Sequence, residues 1–114
     1  MVQRRIGRTD MVCSPIGFGT WEMGATYGHI DAAEATRAVH AAIDAGINLF
    51  DTAEVKEPFR SEELLAKALG RRRNEVILVD KVGFHYTTDG RIDEVNKMNS
   101  SCHYVIERAE GCLR

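Results

Sequence analysis

Two charged residues lie near the ends of apolar runs and are the strongest candidates for chemistry. Asp51 lies in the run 47–52, and Lys81 lies in the run 76–82. If these runs are neighbouring parallel strands, the two side chains face one another at the mouth of the sheet, where functional groups collect. The lysine cation could there lower the pKa of a third group or stabilise an oxyanion. A plain ion pair at a strand end is an equally good interpretation.

A third apolar run, residues 16–21, ends in Gly19, Thr20 and Trp21. The Gly-Phe-Gly that precedes Thr20 continues to Glu22, which stands where the third glycine of the dinucleotide-binding pattern GxGxxG belongs. We therefore exclude a Rossmann-type site. Gly19, Thr20 and Trp21 are still placed to line a site at the strand end, although Trp21 fits a hydrophobic core equally well.

Three amphipathic stretches alternate with these runs and predict helices. The first begins at Asp31, with Glu34 as its capping-box partner, and ends at Gly46. The second begins at Ser61 as the N-cap residue, and the third begins near residues 100–101. The apolar stripe of the third helix comprises Cys102, Val105, Ile106, Ala109, Cys112 and Leu113. A strand–helix period of about 30 residues predicts βαβ units and a parallel sheet.

Length and composition limit the classes of protein that remain. The 114 residues suit a single domain, whereas a complete eight-unit β/α barrel needs roughly 200 residues or more. Fifteen basic and seventeen acidic residues give a net charge of -2, which argues against nucleic acid or an anionic membrane as the main partner. No apolar run approaches the ~18 residues of a membrane span. Three cysteines without a CxxC pair favour reduced thiols and the cytoplasm.

Four motifs in succession resemble the aldo-keto reductase family. They are Ser14-Pro-Ile-Gly-Phe-Gly-Thr-Trp21, Ala45-Gly-Ile-Asn-Leu-Phe-Asp-Thr-Ala-Glu54, Ser61-Glu-Glu-Leu-Leu65 and Lys81-Val-Gly83. The resemblance implies an α/β fold, a partial TIM-type (β/α)8 barrel of parallel strands that stops after its third helix. We expect one truncated domain over residues 1–114. Residues 1–15 would form the N-terminal hairpin that plugs the barrel floor, and residues 16–114 would form three of the eight βα units.

The resemblance also implies a reaction. Members of this family reduce aldehydes and ketones with NADPH, passing hydride to a small-molecule carbonyl substrate while a tyrosine donates the proton. An aspartate and a lysine tune that tyrosine, and Asp51 and Lys81 match them as catalytic residues. Gly19, Thr20 and Trp21 match the stretch near the nicotinamide and substrate, and are the implied cofactor-binding residues.

The sequence departs from the family at two places. The tyrosine is expected five residues after Asp51, but Lys56 stands there, and Tyr27 and Tyr86 lie in other loops. The family's histidine and most of its NADPH phosphate and adenine contacts follow later strands. We therefore expect the acid step to be lost or greatly weakened and the chain to be inactive alone, unless Lys56 delivers the proton. The alternative is a non-enzymatic α/β module that self-associates through open sheet edges or complements another fragment.

Overall fold

The structure is a computed structural model of the chain, and it describes residues 2–24, 30–54, 60–85, 87, 93 and 98–113. Its elements are β1 (Arg4–Arg5), β2 (Val12–Cys13), β3 (Gly17–Gly19), α1 (Ala32–Asp44), β4 (Leu49–Asp51), α2 (Arg60–Leu69), β5 (Ile77–Val79) and α3 (Cys102–Cys112). Short 3-10 helices span Trp21–Gly24 and Gly70–Glu75. The residues Tyr27, Lys56 and Tyr86, on which part of the sequence interpretation rests, lie outside the described residues.

The first two strands form the expected hairpin. β1 pairs with β2 in the antiparallel sense, and the Ile6 N–H donates to the Met11 carbonyl across the turn at 2.9 Å. Gly7 occupies the left-handed region with φ 53°, which favours glycine at this tight turn. The Asn48 side chain accepts from the Ser14 N–H at 2.7 Å, just before β4. This hydrogen bond attaches the hairpin to the parallel sheet at the amino-terminal end of the sheet strands.

The three remaining strands form a parallel sheet in the order β3-β4-β5, as the strand–helix alternation predicts. Phe18, Phe50 and Leu78 lie side by side in one row, and Phe50 is completely buried beneath the helices. The neighbouring row, which contains Gly19 and Asp51, lies on the opposite face because side chains alternate along a strand. Within the described part of the chain the sheet is open, as expected for a partial barrel.

Helices α1 and α2 cover one face of this sheet. Their buried side chains recur at helical spacing; they are Ala35, Val39, Ala42 and Ile43 on α1, and Leu65, Ala68 and Leu69 on α2. Asp31 is the N-cap residue of α1, but its side chain makes no capping hydrogen bond, so the predicted capping box is not formed. The prediction of Ser61 as an N-cap is also wrong, because α2 begins at Arg60 and Ser61 lies inside it.

The third helix has the predicted start but not a buried face. Ser101 is its N-cap residue, and no residue between Cys102 and Cys112 is fully buried. Ile106 is exposed, and Leu113, which follows the helix, is 86% exposed. The stripe therefore keeps its helical spacing but does not form a core with the described residues. None of the described helices has the length and apolar character that crossing a membrane would require.

Candidate active site

The chain segments that follow β4 and β5 run side by side beyond the strands. The Thr52 N–H donates to the Val79 carbonyl at 2.8 Å, and the Glu54 N–H donates to the Lys81 carbonyl at 3.2 Å. These bonds continue the parallel ladder for a few more residues. They bring Lys81 next to Asp51, at the carboxyl edge of the sheet.

Asp51 and Lys81 form an ion pair on the open face of the sheet. The Lys81 ammonium contacts the Asp51 Oδ1 atom and also donates to the Thr52 carbonyl at 3.2 Å. Both side chains keep access to water, with 47% of Asp51 and 52% of Lys81 exposed. The predicted juxtaposition is therefore confirmed, and the cation is held by two oxygens while part of it still faces outward. A catalytic role for the pair stays a prediction.

Thr20 holds the ends of β3 and β4 together. Its N–H and its hydroxyl both donate to the Asp51 carbonyl, at 2.9 and 3.1 Å. The Ser61 hydroxyl, which lies on α2, donates in turn to the Thr20 carbonyl at 2.7 Å. Thr20 and Ser61 are both fully buried, so the Thr20 side chain contacts protein and does not line the open face. Cofactor binding by Thr20 stays a prediction, and its hydroxyl already has a structural partner.

Gly19 leaves space at the end of β3, and Trp21 lies two residues further along the chain. A Cβ atom built on Gly19 would meet no heavy atom within 4 Å, and Gly19 lies in the row of the sheet that contains Asp51. Trp21 is half-buried and packs edge-on against Phe84, with ring centroids 6.4 Å apart. The described residues therefore leave the space over the Gly19 backbone unfilled. The assignment of Gly19 and Trp21 to cofactor binding stays a prediction.

A buried ion pair behind the site escaped the sequence analysis. The Glu54 side chain is 0% exposed and forms an ion pair with Arg108 on α3, whose side chain is 16% exposed. Burial raises the pKa of the Glu54 carboxyl above its usual value, although the Arg108 guanidinium acts in the opposite direction. The two residues are 54 positions apart, and neither has a local pattern that marks it as buried. Only the docking of α3 beside the sheet brings them together.

The sequence profile described as "Aldo/keto reductase family" matches residues 15–110. The chain therefore belongs to the aldo-keto reductase family. The motifs that carried the resemblance contribute Thr20, Asp51, Glu54, Ser61 and Lys81 to the site, and the family assignment from sequence is confirmed.

Two curated relatives give the extent of the similarity. The aldo-keto reductase YhdN of Bacillus subtilis (strain 168) is 31% identical over 112 residues, which cover 96% of this chain and 32% of that protein. The pyridoxal 4-dehydrogenase of Microbacterium luteolum is 32% identical over 81 residues, covering 71% of this chain and 24% of that protein. The chain thus spans a third or less of the length of these relatives.

Solved structures agree with this assignment. The holo form of the aldo-keto reductase AKR11C1 from Bacillus halodurans superimposes with a TM-score of 0.81 at 30% identity, covering 100% of this chain and 36% of that one. The glycerol dehydrogenase AKR11B4 from Gluconobacter oxydans gives a TM-score of 0.78 at 32% identity, covering 98% of this chain and 35% of that one. The partial TIM-type barrel predicted from the sequence is therefore confirmed as the fold class.

Proposed function

We propose that this chain carries the nicotinamide and substrate side of a site for NADPH-dependent reduction of aldehydes and ketones. The observation that carries the proposal is the Asp51–Lys81 ion pair on the open face of the sheet, beside Gly19. Family membership supports the reaction class, and the accessible backbone at Gly19 supports the place of the cofactor.

Each residue has a physical role in this proposal. Lys81 supplies a positive charge that its two oxygen partners hold in place, and this charge would stabilise negative charge developing on an oxygen nearby. Gly19 leaves room for a ring at the sheet surface, and Trp21 provides a flat apolar side. NADPH, when bound, supplies the hydride. The small-molecule carbonyl substrate would lie over the same open face.

This chain differs from the aldo-keto reductase family at the position of the proton donor. Lys56 stands at the position of the family tyrosine, outside the described residues. A positioned general acid contributes about 100- to 10,000-fold to rate, so its loss greatly slows proton delivery. We propose that the isolated 114-residue chain does not reduce carbonyls at a measurable rate. We also propose that the chain is located in the cytoplasm, where thiols are kept reduced. All three cysteines are free thiols in the structure.

Fluorescence of Trp21, the single tryptophan of the chain, tests the cofactor proposal directly. We expect NADPH to quench this fluorescence only at millimolar concentration, and less in a Gly19→Leu variant whose side chain fills the space over the backbone. Free N-acetyltryptophanamide serves as the optical control. Quenching that Gly19→Leu leaves unchanged would contradict cofactor binding at this place.

The same titration and an activity assay test the proposed inactivity. Saturable quenching at micromolar NADPH by the isolated chain would contradict it. So would turnover of a reactive aldehyde that depends on NADPH and disappears in the Lys56→Ala variant, because that result would make Lys56 the proton donor.

A second candidate function is that of a non-enzymatic module that associates with itself or with a complementary fragment. Within the described part of the chain, β3 and β5 form the edges of the sheet, and Val79 on β5 is exposed. Open edges of this kind pair readily with other strands. Sedimentation velocity over a range of chain concentrations tests the idea. Growth of a dimer with concentration would support it, whereas a monomer at every concentration would contradict self-association.

A further inference from the structure

Three side chains with metal-ligand chemistry converge outside the candidate active site. Glu62 lies in the first turn of α2, Asp80 directly follows β5, and Cys112 is the last residue of α3. One oxygen from each carboxylate and the Cys112 Sγ atom lie within 4.8 Å of one another. The three residues come from three separate elements, so the fold as a whole brings these donors together.

The Glu62 carboxylate is enclosed beside the other two donors. Both of its oxygens are inaccessible to water, and the Cys112 thiol and the Asp80 carboxylate lie next to it. Burial makes the charged carboxylate energetically costly, and the nearby Asp80 carboxylate adds a repulsion that a bound cation would offset. The three donors line a groove of about 560 Å³. Arg73 also lines this groove, and it donates to the Val76 carbonyl at 3.2 Å. The groove has room for an ion with its water.

We propose that Glu62, Asp80 and Cys112 form a binding site for a borderline-soft divalent cation, of which Zn²⁺ is the natural example. Zn²⁺ takes thiolate sulfur at about 2.3 Å and carboxylate oxygen at about 2.0–2.2 Å, which places tetrahedral donors roughly 3.5 Å apart. The three donor atoms already lie within 4.8 Å of one another, and binding would draw them closer. A water molecule completes the tetrahedron from the groove. The proposal does not depend on the carbonyl reductase function.

The donor set selects among metals. Mg²⁺ and Ca²⁺ prefer shells made of oxygen, and a thiolate suits Zn²⁺ and other borderline-soft ions. In the structure the Cys112 thiol donates to the Arg108 carbonyl at 3.2 Å. On binding, the sulfur–hydrogen bond is replaced by a sulfur–metal bond and the proton passes to the buffer, so binding of Zn²⁺ releases protons.

Calorimetric titration of the full chain with Zn²⁺ tests the site. We expect one ion per chain, bound equally well in excess Mg²⁺, with proton release that makes the heat depend on the buffer. Cys112→Ser and Glu62→Gln should each weaken binding by about 100-fold or more, since loss of a direct ligand exceeds the 10- to 100-fold effects of supporting residues. The matched controls Cys102→Ser and Glu63→Gln, both at exposed positions, should leave the affinity unchanged.

A second measurement needs no variant and covers the case in which a substitution prevents folding. Zn²⁺ should slow alkylation of Cys112 by iodoacetamide while leaving Cys102 unaffected, as read by mass spectrometry of the peptides. Titration with Cd²⁺ should also produce a sulfur-to-metal charge-transfer band that depends on Cys112. The proposal is overturned if Zn²⁺ leaves the alkylation rate of Cys112 unchanged, or if the controls lose affinity as much as the ligand variants do.

Discussion

Arg108 on α3 forms an ion pair with Glu54, whose side chain is completely buried. Glu54 also donates its N–H to the Lys81 carbonyl at 3.2 Å. One residue is therefore tied both to α3 and to the segment that carries the candidate catalytic lysine. Because α3 has no fully buried residue, this contact is a specific link between α3 and the rest of the fold.

Replacing Arg108 by methionine should destabilise the chain. The substitution keeps much of the side-chain volume but leaves the buried Glu54 charge without its guanidinium. Breaking a buried pair in this way costs about 3–5 kcal/mol in the free energy of unfolding. Urea denaturation followed by circular dichroism measures the change. Arg37→Met, at an exposed position on α1, is the control and should change stability by less than about 0.5 kcal/mol. An equal loss in both variants would contradict the prediction.

The contribution of Glu54 should vary with pH in a defined direction. Burial raises the pKa of Glu54 above its ordinary value of 4.5, so the folded chain binds this proton more tightly than the unfolded chain does. The stability contributed by this group is therefore greatest below the unfolded pKa and falls as pH rises towards the folded pKa. Removing Arg108 should exaggerate this fall, because the guanidinium that opposes the effect of burial on the pKa of Glu54 is then gone.

Denaturation curves at several pH values measure this effect. The destabilisation caused by Arg108→Met should be smaller near pH 4 than at pH 8, since Glu54 can take up a proton in acid. Glu63→Gln, which alters an exposed carboxylate on α2, serves as the control and should show no such trend. A destabilisation by Arg108→Met that is the same at both pH values would exclude Glu54 as the group responsible.

The elements were predictable from sequence because their signals are local. Apolar runs spaced by about 30 residues and helices with apolar stripes indicate a parallel β/α sheet. That topology also places Asp51 and Lys81 together, since the carboxyl ends of parallel strands meet at one edge. The family motifs then supplied the reaction class, which no spacing rule would have given.

The contacts that were missed join residues far apart in the sequence. Ser61 has the residue type of a helix cap, and its cross-link to Thr20 depends on how α2 lies over the strand ends. The Glu54–Arg108 pair depends in the same way on the docking of α3. Local spacing also predicted an apolar stripe on α3, but burial of that stripe depends on what packs against it.

Ser61→Ala should destabilise the chain although it removes a single oxygen atom. The Ser61 hydroxyl is fully buried and donates to the Thr20 carbonyl, so its removal leaves that buried acceptor without this donor. The Thr20 carbonyl still accepts from the Met23 N–H at 2.9 Å, so the cost is that of one net hydrogen bond, about 0.5–1.5 kcal/mol. Ser101→Ala is the matched control, because Ser101 caps α3 without a side-chain hydrogen bond and is exposed. Equal unfolding midpoints in urea for Ser61→Ala and the unaltered chain would contradict the proposed cross-link.

Lys81→Met and Asp51→Asn should leave stability almost unchanged. Their ion pair is about half exposed, and exposed pairs contribute about 0–1 kcal/mol because water screens the charges and both side chains lose freedom. The sheet keeps its register in either variant, since Thr20 and Thr52 hold the strand ends through backbone atoms. Urea midpoints within a few tenths of molar of the unaltered chain would agree with this expectation. A decrease of more than about 2 kcal/mol in the free energy of unfolding of either variant would mean that the ion pair is needed for the fold. That result would remove the main reason for placing the pair in a reactive site.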